Sequence, residues 1–182
     1  MTVGVLVTAG GAAPASATVV DKGEFSFTES VPEDLCGIAV VRDSVVSGKF
    51  RIRVDKASGG QAFFQRLNFS YEDVFTNPSN GRSITFEGHS VINELKATQV
   101  EGTVYRFTTI EAGQPFAVRD GAGRVVLRDR GVLRHSVVFD TLGDGAPGGI
   151  ELENTIVAVG GPHPGFEQSE EEFCAMVETL LG

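Results

Sequence analysis

The chain has no tryptophan, two tyrosines, two cysteines and three histidines in 182 residues. So small a stock of cysteine and histidine excludes the metal modules built on paired Cys and His spacings, and no C-x-x-C is present. Positive charge is scarce too. Fifteen Lys and Arg stand against 24 Asp and Glu, a formal net charge of −9, so a phosphate backbone or an anionic lipid surface is repelled overall. Nucleic acid is therefore not an expected partner. No serine sits in a Gly-x-Ser-x-Gly context, and no glycine loop opens a helix to cradle phosphate. Gly121-Ala122-Gly123 runs into a strand pattern, which excludes the dinucleotide reading, and no cofactor is expected.

Long apolar runs are also missing, since residues 1–17 fall short of the ~20 that a spanning helix needs and are rich in Gly and Ala. They carry no charge and close on Ala15-Ser16-Ala17 before Thr18-Val19-Val20-Asp21-Lys22. Small residues at the last and third-last positions are what a signal peptidase pocket admits, so 1–17 reads as the remnant of a signal peptide and 18–182 as one exported domain. The expected location is outside the cell or associated with its envelope. The Lys- or Arg-bearing start of a leader is lacking, which keeps open an Ala/Gly-rich tail on a cytoplasmic protein. In an oxidising compartment Cys36 and Cys174 have one possible pairing, a bridge that closes nearly the whole domain.

What the sequence has in quantity is 13 Phe, 23 Gly and many Val, Ile and Thr, a composition for strands and turns. Period-two alternation dominates. Phe25 and Phe27 share a face, as do Phe50, Ile52 and Val54 against Lys49, Arg51, Arg53 and Asp55. A third strand is predicted over 62–75 and ends at the turn formers Thr76-Asn77-Pro78-Ser79-Asn80-Gly81. Strand pieces follow at 83–86 and 91–97, interrupted at 87–89, and then one strand over 99–110. A hairpin at 120–123 joins 115–119 to 124–129, and the last strands are 131–140 and 150–159. Strands at this spacing predict a mainly β fold, an antiparallel up-and-down β-barrel of about eight strands, because closure removes exposed edges.

One α-helix is predicted, at the C-terminus and packed on the barrel. Ser169 with Glu172 forms a capping box, Glu170 and Glu171 complement the helix dipole, and Phe173, Met176, Val177 and Leu180 make an apolar stripe beside Cys174. Cys36 in Glu33-Asp34-Leu35-Cys36, the turn ending at Gly81-Arg82, the arm Gly123-Arg124-Val125-Val126 and the late Phe173-Cys174 together resemble a group of exported proteins common in actinobacteria. That group brings no activity with it. In architecture the chain is also similar to the barrels of the allene oxide cyclase and dirigent type, a likeness that implies a fold and not a function.

Candidate site residues are few. His135 alternates with Leu133, Val137 and Phe139; if that face lines the interior it is a partly buried titratable group of the sort barrel cyclases use to polarise a substrate, and the alternative is a hydrogen-bonded core histidine. Tyr105 and Tyr71 are the further catalytic candidates should they face the same interior. His163, held between Pro162 and Pro164, reads as a loop residue satisfied by solvent or backbone rather than as a ligand or base. Asp140, Asp144 and Glu151 flank a Gly/Pro-rich loop of the kind calcium accepts, but without EF-hand spacing they read as turn formers. Two function classes stay open: an exported module binding a small apolar ligand or a protein partner, and a cyclase- or isomerase-like enzyme acting on a lipophilic substrate.

Overall fold

A computed structural model describes residues 18–182, so the expected leader at 1–17 lies outside the described residues. Eight strands form one antiparallel sheet: β1 Val19–Leu35, β2 Ile38–Asp55, β3 Ala62–Thr76, β4 Ser83–Glu101, β5 Val104–Arg119, β6 Val125–Arg128, β7 Gly131–Asp140 and β8 Ile150–Gly160. Neighbours follow the chain in the order β1-β2-β3-β4-β5-β7-β8, and β6 also pairs with β5. Ala117 to Arg119 of β5 face β6 while Val104 to Gly113 face β7, so β6 and β7 lie end to end along the same edge of β5. The eight strands thus fill seven tracks.

The meander follows from turn chemistry. Cys36 and Gly37 both have positive φ, 55° and 81°, as a two-residue hairpin loop requires, and Asp34 Oδ1 accepts from Gly37 N at 2.8 Å. Gly88 has a different role, because a Cβ there would stand 2.2 Å from the Tyr71 ring and 2.5 Å from the Pro115 carbonyl oxygen. The ring of Tyr71 covers the bare backbone of its cross-strand partner. At the same place the β4–β5 register shifts between Glu87 and His89, and again between Glu94 and Lys96. Such bulges bend and twist a strand.

Two predicted boundaries are corrected. The pieces at 83–86 and 91–97 are one strand, because the bulge beside Gly88 absorbs the break at 87–89 without ending the ladder. The single strand over 99–110 is two, since Gly102, at φ 49°, turns the chain between Glu101 and Val104 while the apolar alternation carries on through the turn. Closure is the third difference. Among the described residues no ladder joins β8 to β1, so the sheet is open in its hydrogen bonding, with β1 and β8 as edges. Pro32 fits there, since an edge strand tolerates a missing donor.

The C-terminal helix forms as its sequence dictates. It spans Glu170–Leu181 (α2, after the single turn α1 at Pro164–Glu167) and starts with the reciprocal pair Glu172 N to Ser169 Oγ, 3.2 Å, and Ser169 N to Glu172 Oε2, 2.9 Å. Its Val177 and Leu181 are buried with Val40, Phe75, Ile84, Phe86, Val118 and Leu127. Cys36 and Cys174 are bonded across 138 residues, with Cα atoms 5.3 Å apart, which ties the helix to the β1–β2 turn. The turn after β3 receives the other end. Asn77 Nδ2 and Asn80 Nδ2 donate to the Leu181 carbonyl at 3.0 and 2.8 Å, and Arg82 Nη2 donates to that of Thr179 at 2.8 Å. These donors satisfy carbonyls that a helix end leaves unpaired, and Arg82 adds a positive charge where the dipole is negative.

Candidate functional site

On one side of the sheet, away from the helix cluster, side chains from β2, β3, β4, β5, β7 and β8 surround a cavity of about 530 Å³. That falls within the roughly 300–1,000 Å³ of small-molecule sites. The apolar wall is Ile52, Phe63, Ile92, Phe107, Val137 and Phe139. Phe107 and Phe139 meet edge to face, ring centres 6.2 Å apart, which fixes two of the rings.

A polar group interrupts this wall. Glu94 of β4 pairs across the ladder with Thr109 of β5, and Thr109 pairs with His135 of β7, so three polar side chains lie in one row over three strands. Directly opposed side chains on one face stand about 5 Å apart at Cβ. Glu111, two positions beyond Thr109 on the same face, completes the group. Thr109 is only 6% exposed and its Oγ1 has no hydrogen-bond partner. His135 Nδ1 lies 3.2 Å from Asn154 Oδ1, an acceptor, so that ring nitrogen carries the proton in the neutral ring and Nε2 keeps a free lone pair. Nε2 makes no hydrogen bond; a Glu111 oxygen is 3.9 Å away.

Glu94 is the perturbed acid of the site. The β3–β4 ladder stops at Arg66 and Asn93, and the Glu94 carboxylate takes the next backbone N–H, that of Gln65. Burial outweighs this hydrogen bond and pushes the Glu94 carboxyl up to about 7. Among the described residues no Lys or Arg lines the cavity, whereas Glu94, Glu111 and Glu151 do.

The expected site residues are separated. His135 lies in the cavity, on the face shared with Val137 and Phe139. Tyr105 is buried in the apolar cluster with Ala62 and Phe107 and is not in the lining. Tyr71 lies at a second, shallower cleft with Ser70, Glu87 and Gln114; its hydroxyl donates to the Pro115 carbonyl at 3.1 Å. Burial, reinforced by Asp73 and other carboxylates, raises that phenol to about 12, so it stays a neutral donor. His163 is 2% exposed, with Nε2 3.3 Å from the Gly160 carbonyl oxygen.

The loop acids take turn contacts. Asp140 accepts from Thr103 Oγ1 at 2.6 Å and Leu142 N at 2.9 Å, which holds its carboxyl below the usual range, and Asp144 accepts from Ala146 N at 2.9 Å. Glu151 lines the cavity. Among the described residues no three His, Cys, Asp or Glu side chains stand close enough to hold a metal ion, and no helix is long and apolar enough to cross a membrane.

Glu94, Thr109 and Glu111 are the members of the site that sequence patterning missed. Their signal is there, for Tyr105, Phe107, Thr109 and Glu111 alternate on one face, and a carboxylate that continues an inward apolar series marks an unusual interior. The chain is thus a disulfide-bonded antiparallel β protein whose sheet surrounds an apolar cavity with an acidic, histidine-bearing wall. Compared with protein-family models, curated proteins and solved structures, it matches none.

Proposed function

We propose that the protein is an exported binding module for a small, mostly apolar molecule, which it takes into the cavity between β2 and β8. One observation carries this reading: six apolar side chains from five strands converge on a volume of small-molecule size. The Cys36–Cys174 bond supports export, since such bonds persist in oxidising compartments. A barrel-like function of the sheet fits as well, because strands near both edges contribute to one chamber. A titration with the neutral fluorophore N-phenyl-1-naphthylamine tests it. Saturable one-to-one enhancement is expected, lost in Val137→Trp, which fills the chamber. Absence of any saturable signal, or a signal indifferent to Val137→Trp in a folded variant, contradicts it.

A second reading, isomerase- or cyclase-like chemistry, is favoured by His135, a cavity-lining residue with Nε2 unpartnered, across Thr109 from an acid whose carboxyl burial pushes up to about 7. Such a pair can take a proton from a bound molecule at one atom and return it at another. It predicts deuterium uptake next to the carbonyl of decan-2-one in heavy water at a rate above buffer, abolished by His135→Ala. Uptake equal in the two proteins removes the reading and leaves the binding module standing.

A further inference from the structure

We infer that the molecule held in this cavity carries a protonated amine as its polar end. The inference rests on the binding reading above and specifies the ligand class for the same site.

The charge of the lining gives the first argument. Three acidic side chains line the cavity, of which Glu111 and Glu151 carry the negative charge while burial favours the neutral form of Glu94, and among the described residues no Lys or Arg does. A fatty carboxylate, sulfate or phosphate ester would add a like charge to this wall and leave its oxygens without a cationic partner, at a cost that low-dielectric surroundings enlarge. An ammonium has the opposite balance. The unmet hydrogen-bond capacity gives the second argument. Thr109 Oγ1 is buried and unpartnered; His135 Nε2 is an acceptor without a donor while Nδ1 is engaged by Asn154; and the Glu111 carboxylate stands 3.9 Å from that nitrogen. A primary ammonium has three N–H donors, one for each of these acceptor atoms, the Thr109 hydroxyl oxygen among them. Its alkyl portion then lies along Ile92, Phe107 and Val137. A hydroxyl end has one donor for this set and brings no charge to the Glu111 carboxylate.

The experiment is calorimetric titration of the disulfide-intact protein with decylamine, decan-1-ol and decanoate, which share one tail. Decylamine is expected to bind at least about tenfold more tightly than the alcohol, and decanoate more weakly than either. Glu111→Gln, close to isosteric, brings the amine to within about threefold of the alcohol. Glu170→Gln on the exposed face of α2 leaves all three unchanged, which separates the site from the overall negative charge. Thr109→Val is the second variant, with the same directional loss for the amine. Equal affinity for amine, alcohol and carboxylate, or an amine preference that survives both cavity variants, overturns the inference while the binding reading stands. No binding of any of the three overturns both.

Discussion

Glu94 carries the sharpest consequence at the scale of single residues. Burial disfavours its charged form in the folded protein, and Gln65, Thr109, Glu111 and His135 are the polar groups of the same wall. As pH rises from the usual carboxylate range towards about 7, the unfolded chain gives up this proton before the folded one does. The folded state then holds more protons, so stability falls with pH across that window. Glu94→Gln keeps the side chain neutral at every pH. Thermal unfolding from pH 4 to 8 should show the variant gaining on the parent by on the order of 1–2 kcal/mol above pH 7 and matching it at pH 4. A constant offset at all pH values would contradict the burial of this acid.

The same scale shows why part of the site was legible. Period two places His135 with Val137 and Phe139, and that is where the structure has it. Tyr105 and Tyr71 obey the alternation equally well but end in an apolar cluster and at another cleft. Period tells which face a side chain takes; how far along a strand of 15 or more residues it lies from the cavity depends on inter-strand register. Register is fixed by turns and bulges; the bulge at Gly88 shows in the sequence only as a break in the pattern at 87–89, and the one beyond Glu94 has no sequence signal.

Among the elements, α2 was the most legible, because capping box, acidic first turn and apolar stripe agree with one another. What the sequence could not show is the receptor for its far end. The Asn77, Asn80 and Arg82 side chains read as turn formers, and only the assembled fold brings them to the last carbonyls of a helix about a hundred residues later. Asn77 is buried, so Asn77→Ala should cost about 1–3 kcal/mol in denaturant unfolding by leaving the Leu181 carbonyl with one donor fewer. A change within about 0.3 kcal/mol would show that Asn80 suffices.

The disulfide acts on the same element. Chain-entropy reasoning gives about 5 kcal/mol for a loop of this length, so Cys36→Ser with Cys174→Ser should lower the unfolding free energy by roughly 2–5 kcal/mol. Loss of helical signal ahead of sheet signal is the expected course, since the helix has its bond at one end and three turn side chains at the other. Coincident loss would mean that helix and sheet melt as one unit.

For the whole molecule, strand count and closure part ways. Eight strand segments are present, yet β6 and β7 share one track and the two edges are unpaired among the described residues. Whether a meander closes depends on accumulated twist and on the match of its terminal strands, quantities that alternation and turn spacing do not contain. The outer strand β8 exposes Ile150, Leu152, Val157 and Val159, whereas β3, β4 and β5 carry much of the buried core. Amide hydrogen exchange should therefore be fastest along β1 and β8 and slowest in β3 to β5. Protection of β8 equal to that of β4 would indicate that its free edge is paired in solution.

The chamber between β2 and β8 is built to receive a molecule, on the reading proposed above. Methyl-resolved NMR of the folded protein during titration with decylamine tests this. The methyl groups of Ile52, Ile92 and Val137 should shift together and saturate at one equivalent, with Ile84 and Val118 of the helix-side core unmoved. Shifts confined to Val157 and Val159 on the outer strand, or none in the cavity methyls at saturating amine, would mean that the chamber holds no ligand.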